Sequence, residues 1–159
     1  MFSQIKLRLL FVFAVTSLLS LSSQAELINK QVLGLSGAKK IAAAAELEAV
    51  RNKWNVVIAV VDDGGHLVYL QRLDGAPTGS IDVAIGKART AAAFKRPTQV
   101  FDEMTKTRPA ITSIPGIVPL EGGVPVMVDG QLVGAVGVSG ATSQQDVQVA
   151  EAGISALGA

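Results

Sequence analysis

The run Gly134-Ala135-Val136-Gly137-Val138-Ser139-Gly140 sets glycines three apart inside a stretch whose valines read as a β-strand. Glycine in a strand interior loses more backbone entropy than any other residue and offers no side chain to pack. A sheet that keeps such a strand must let something come close to its backbone, either a helix or a flat ligand. The spacing superficially matches a phosphate-binding glycine loop. It lies in a strand, however, and lacks both the lysine of a P-loop and the acidic residue of a dinucleotide site, so close packing is the better explanation.

The rest of the chain supplies the elements that could pack there. From Ser36 to Lys53 it is Ala-rich, with Ile41, Ala44, Ala45, Leu47, Val50 and Trp54 at helical spacing and Ser36 as N-cap. Residues 56–61 and 67–70 are two β-rich runs around Gly64-Gly65, which predicts a hairpin. Ser80 caps a helix that Pro97 stops, and Thr98 caps a short one with Val100, Phe101 and Met104 on one face. Three strands are then expected, Gly116 to Leu120, Val124 to Val128 and Leu132 to Ser139, with Asp129-Gly130 turning the last pair. Ser143 caps a C-terminal helix bearing Val147, Ala150, Ile154 and Leu157. The order α-β-β-α-α-β-β-β-α lacks the β-α alternation of a parallel sheet. An α+β fold follows, with an antiparallel sheet of about five strands covered by helices.

The N-terminus predicts export. Lys6 and Arg8 precede an apolar run from Leu9 to Leu21 that is too short to cross a bilayer, and Ser23-Gln24-Ala25 supplies small residues at −3 and −1 of a cleavage site. Residues 1–25 are therefore assigned as a signal peptide and 26–159 as one domain, periplasmic or secreted, with no stable membrane insertion after cleavage. Removal of the leader leaves 12 basic against 13 acidic residues, interleaved, so nothing recommends a nucleic-acid partner. With no cysteine, the core has neither disulfide nor thiolate site. Only one Trp and one Tyr provide bulk, which points weakly to a homo-oligomer.

The familiar catalytic constellations fail in turn: there is no Cys, one His, no G-x-S-x-G and no H-E-x-x-H. Asp62, Asp63 and Asp74 sit beside glycines and read as turn formers. His66, the only histidine, stands at a hairpin tip after two glycines, where an imidazole can be a solvated turn residue or a haem ligand. Lys87 and Arg89 diverge by about 200° on a helix, so they cannot share one patch. Lys87 lies on the side of Ala84, Ala88 and Ala91.

Six segments in order resemble the GlcG/HbpS family, whose members include the C-terminal domain of PduO-type proteins. They are Val60 to Val68 with its Asp62-Asp63-Gly64-Gly65-His66 core, Arg72-Leu73-Asp74-Gly75-Ala76, Lys87-Ala88-Arg89-Thr90-Ala91, Ile114-Pro115-Gly116, Gly122-Gly123-Val124-Pro125-Val126, and Gly134 to Gly140 followed by Asp146. The resemblance implies a profilin-like fold, homo-oligomers and a haem or iron cofactor, in haem sequestration, transport or sensing. Haem degradation, action on a small metabolite, or a non-catalytic accessory role are the alternatives. The positions that carry over are Arg72, Asp74, Lys87 and Thr90, with His66 in the glycine-rich turn. The site expected on this basis is a slot for haem or another small planar ligand between the 62–74 hairpin and the helix bearing Lys87 and Thr90. Arg72 or Lys87 would pair its carboxylates, and His66, or Thr90 more weakly, would ligate the iron.

Overall fold

The computed structural model describes Glu26 and residues 28–158, so the leader assigned to residues 1–25 lies outside the described residues. Helix α1 (Leu35–Arg51) leads into the hairpin β1 (Val57–Asp62) and β2 (Leu67–Arg72). Helices α2 (Ser80–Phe94) and α3 (Gln99–Thr107) and a 3-10 turn (Pro109–Ser113) follow, then β3 (Gly123–Val128), β4 (Gln131–Ser139) and α4 (Ser143–Ser155). The sheet is antiparallel throughout, in the order β2-β1-β4-β3. α1 and α4 cover one face and α2 the other. That double cover is why β1, unlike a half-buried strand, is apolar at every position from Val57 to Val61.

The two faces are built from side chains of different size. Toward α1 and α4 the sheet presents Val56, Ile58, Val60, Val126, Val136 and Val138. Toward α2 the register lines up Ala59, Gly137 and Gly123 across three strands. α2 answers with Ala84, Ala88 and Ala91, all fully buried. With no side chains to hold them apart, helix and sheet meet backbone to backbone: a Cβ on Gly137 would lie 2.0 Å from the Ala84 carbonyl oxygen, and one on Gly123 would lie 2.4 Å from that of Lys87. Gly137 is therefore explained by a helix, whereas a Cβ on Gly134 would meet the Val61 carbonyl oxygen at 2.5 Å and Leu33 of the N-terminal segment.

Four strands form where about five were expected. Residues 116–120 have no ladder partner, because Pro115 and Pro119 remove backbone donors and the Ile117 N–H turns back to the Ile114 carbonyl. The segment crosses α2 as a strap instead. Pro125 is accommodated in β3 because it lies on an edge strand. In α1 the buried stripe is Ala38, Ile41, Ala42, Ala45 and Ala49, while Leu47 and Val50 stay 66% and 61% exposed. α1 starts after Gly34 rather than Ser36, and α4 is capped by Thr142 in a reciprocal capping box with Gln145. Phe94 and Phe101, with ring centroids 5.0 Å apart, fix α3 against α2.

Candidate functional site

The two α2 residues expected to face the hairpin turn away from it, Lys87 toward the start of β3 and Thr90 toward the strap. Lys87 runs from α2 past Gly122 toward α4, with a side chain only 3% exposed. Its Nζ donates to the Asp146 carboxylate at 2.8 Å and to the Val138 carbonyl at 2.9 Å. Gly122, at φ +113, keeps the channel clear, since a Cβ there would sit 2.9 Å from Nζ. Burial raises the Asp146 carboxyl above its ordinary range, against the opposing pull of the Lys87 ammonium and the Ala141 N–H. Lys87 is thus a cross-layer strut between α2 and α4, its ammonium already paired with a buried carboxylate.

Thr90 is likewise committed. Its hydroxyl donates to the Gly86 carbonyl at 2.8 Å and accepts the Val118 N–H at 2.9 Å, and the residue is 1% exposed. Val118 drops into the notch left by Gly86, where a Cβ would meet a Val118 methyl at 2.5 Å. Thr90 therefore pins the strap to α2 and presents no free oxygen to a metal.

His66 is placed differently. Its side chain is 84% exposed, and Nδ1 lies 3.5 Å from Asp62 Oδ1. That oxygen accepts the N–H groups of Gly64 and His66, both at 2.9 Å. The His66 amide, reinforced by Gly64 and by the imidazole itself, holds the Asp62 carboxyl below its ordinary range. A carboxylate at Nδ1 favours the tautomer that carries its proton there and turns Nε2 outward as a ligand atom. Both glycines are needed locally: Gly65 has φ +80, and a Cβ on Gly64 would touch the imidazole at 3.0 Å. Among the described residues no cluster of three or more His, Asp or Glu side chains could hold a metal ion.

Beside His66 runs an apolar strip. Leu67, Leu70 and Arg72 lie opposite Val61, Ala59 and Val57 in the ladder and so share the α2 side of the sheet. Leu67 is 43% exposed, and Leu70 packs with Ile81 and Ile85 of α2. Arg89 stands at the His66 end, its Nε donating to the Gly65 carbonyl at 3.2 Å. Arg72 is exposed at the other end, about 20 Å from His66 along β2 at ~3.3 Å per residue. The structure thus brings His66, Asp62 and Arg89 together, leaves Arg72 apart, and buries Lys87 and Thr90. Asp62 is held by contacts within its own turn, whereas Arg89 is set beside it by a helix-to-hairpin contact.

A four-stranded antiparallel sheet with helices on both faces, carrying the chain's one histidine on a hairpin tip, defines an α+β protein. A family model described as "Haem degrading protein HbpS-like" matches residues 33–155, which takes in every helix and strand described above, and the chain belongs to that family. It is 48% identical over 112 residues to protein GlcG of Escherichia coli strain K12, covering 70% of this chain and 84% of that protein. Among solved structures it is similar to a double mutant of Streptomyces reticuli HbpS, with TM-score 0.80 and 37% identity over 87% of this chain and 95% of that one. A PduOC structure solved as a haem complex matches with TM-score 0.72 and 27% identity, covering 79% and 94%.

Proposed function

We propose that this protein is exported and binds haem, acting in haem sequestration, transport or sensing, with His66 as the axial ligand. The observation that carries the reading is the exposed imidazole whose Nδ1 faces Asp62. The family and the haem complex of the PduOC relative support the choice of ligand. The porphyrin would lie over Leu67 and Leu70, with Arg89 rather than Lys87 near its carboxylates. Homo-oligomers, implied by the family resemblance, would cover the rest of this open face.

Protein recovered from the periplasm or medium should have the intact mass of a chain beginning at Glu26, and retention of Met1 on soluble cytoplasmic protein would refute export. Titrating that material with haemin should give a Soret band. His66→Ala should shift its maximum and weaken binding by about tenfold or more, as expected for loss of a ~1.4 kcal/mol interaction. An unchanged spectrum and affinity would move the ligand elsewhere. The family description favours turnover as a second reading, and adding a reductant and oxygen to the same sample measures whether haem is consumed.

A further inference from the structure

Both hairpin turns of the sheet gather at one end of the molecule, where the N-terminal segment crosses them. Between these parts lies an open groove of about 490 Å³, lined among others by Ile28, Lys30, Asp63, Lys95, Met127 and Leu132. Small-molecule sites commonly occupy roughly 300 to 1,000 Å³. The lining is of two kinds. Ile28 and Met127 are apolar and exposed, at 89% and 39%, and Leu132 adds a half-buried wall. The charged members are two ammonium groups and one carboxylate. Asp63 is paired with Lys30, whereas Lys95 makes no ion pair among the described residues. Its position is fixed by the backbone: Lys95 ends α2 at φ 53, with its N–H on the Ala91 and Ala92 carbonyls.

One uncompensated cation beside an apolar wall is complementary to an anion that carries hydrocarbon. We infer that this groove binds the carboxylate end of an apolar molecule, with Lys95 as the charge partner, Lys30 beside it, and Ile28, Met127 and Leu132 against the hydrocarbon. The same chemistry is offered by a free fatty carboxylate and by the carboxylate edge of haem, since the His66 hairpin borders the groove through Asp63. The inference stands on the groove and does not require the haem reading.

Octanoate and acetate, titrated calorimetrically into the mature protein, test it. Octanoate should bind and acetate should not, because acetate has only a methyl group to bury. Lys95→Gln should weaken octanoate about fivefold to tenfold, the scale of one charge-assisted hydrogen bond. Lys53→Gln is the matched control: Lys53 also has a left-handed backbone, at φ 60, but precedes β1 at the opposite end of the sheet, so its loss should leave octanoate binding unchanged. No octanoate binding, equal binding of acetate, or equal losses in the two variants would overturn the proposal. Haemin separates the two sources. If octanoate displaces haemin and Lys95→Gln weakens both, the groove takes the carboxylate edge of haem. If only octanoate is weakened, it takes a free carboxylate. Failure of haemin to bind would remove the haem reading and leave the octanoate result standing.

Discussion

Replacing Lys87 by methionine is expected to cost about 3 to 5 kcal/mol of stability at pH 8, because it strands the Asp146 carboxylate in a site where its side chain is 3% exposed. Methionine fills much of the volume of lysine, so the loss is electrostatic rather than a cavity effect. Burial already raises the Asp146 carboxyl, and the Lys87 ammonium is the main force opposing it; without that ammonium the carboxyl rises further. The sign of the pH dependence follows. A carboxyl whose folded pKa lies above its unfolded value contributes its full stability below the unfolded value and loses it as pH rises through the folded one. The deficit of Lys87→Met should therefore shrink as pH falls from 8 toward 5, and urea denaturation at the two pH values would show this. Adding Asp146→Asn should recover much of the loss at pH 8 and flatten the pH dependence, since the amide oxygen can still accept the Ala141 N–H. An equal deficit at both pH values would mean that packing, not the stranded charge, sets the cost.

The parts of the fold that sequence discloses are those whose causes are local. The Gly64-Gly65 and Asp129-Gly130 turns, the stop at Pro97 and the continuous apolar run of β1 are each specified by a few adjacent residues, and each stands where expected. No strand forms at 116–120 because Pro115 and Pro119 exclude a ladder despite the β-branched residues between them. Leu47 and Val50 are apolar yet exposed, while α1 buries alanines so that it can lie close to the sheet and α4. The candidate site was less legible for a related reason. Lys87 meets Asp146 across 59 positions of sequence, and Thr90 meets Val118 across 28. No spacing rule reveals such pairings, and the motifs that hold Lys87 and Thr90 do not disclose the partners each has within the fold. His66 was legible because its constraints, Asp62, Gly64 and Gly65, are its own neighbours. Arg89 diverges from Lys87 on the helix, and its contact with Gly65 sets it beside the imidazole.

Gly137→Ala should be more damaging than any other single methyl group added to the sheet, with a loss of about 3 kcal/mol or more. The new Cβ would stand 2.0 Å from the Ala84 carbonyl oxygen and 2.6 Å from the Ala88 backbone nitrogen. Both obstacles are helix backbone, so no rotamer change relieves them; α2 must lift from the sheet as a unit. Lifting α2 would stretch the Lys87 to Asp146 strut and draw Thr90 away from the strap, so the damage should spread beyond the methyl itself. Gly79→Ala provides the comparison: nothing lies within 4 Å of the added Cβ, and the backbone there is ordinary right-handed helix at φ −63. It should be neutral or stabilise by up to about 1 kcal/mol, through the unfolded chain. Urea midpoints for the two variants give the contrast directly, and hydrogen exchange should show lost protection in α2 of Gly137→Ala. Truncating Ala88 to glycine should not rescue that variant, because the closest clash is with a main-chain oxygen. A loss below about 1 kcal/mol would show that α2 moves away at little cost, and that the row formed by Ala59, Gly137 and Gly123 is not what holds helix and sheet at their spacing.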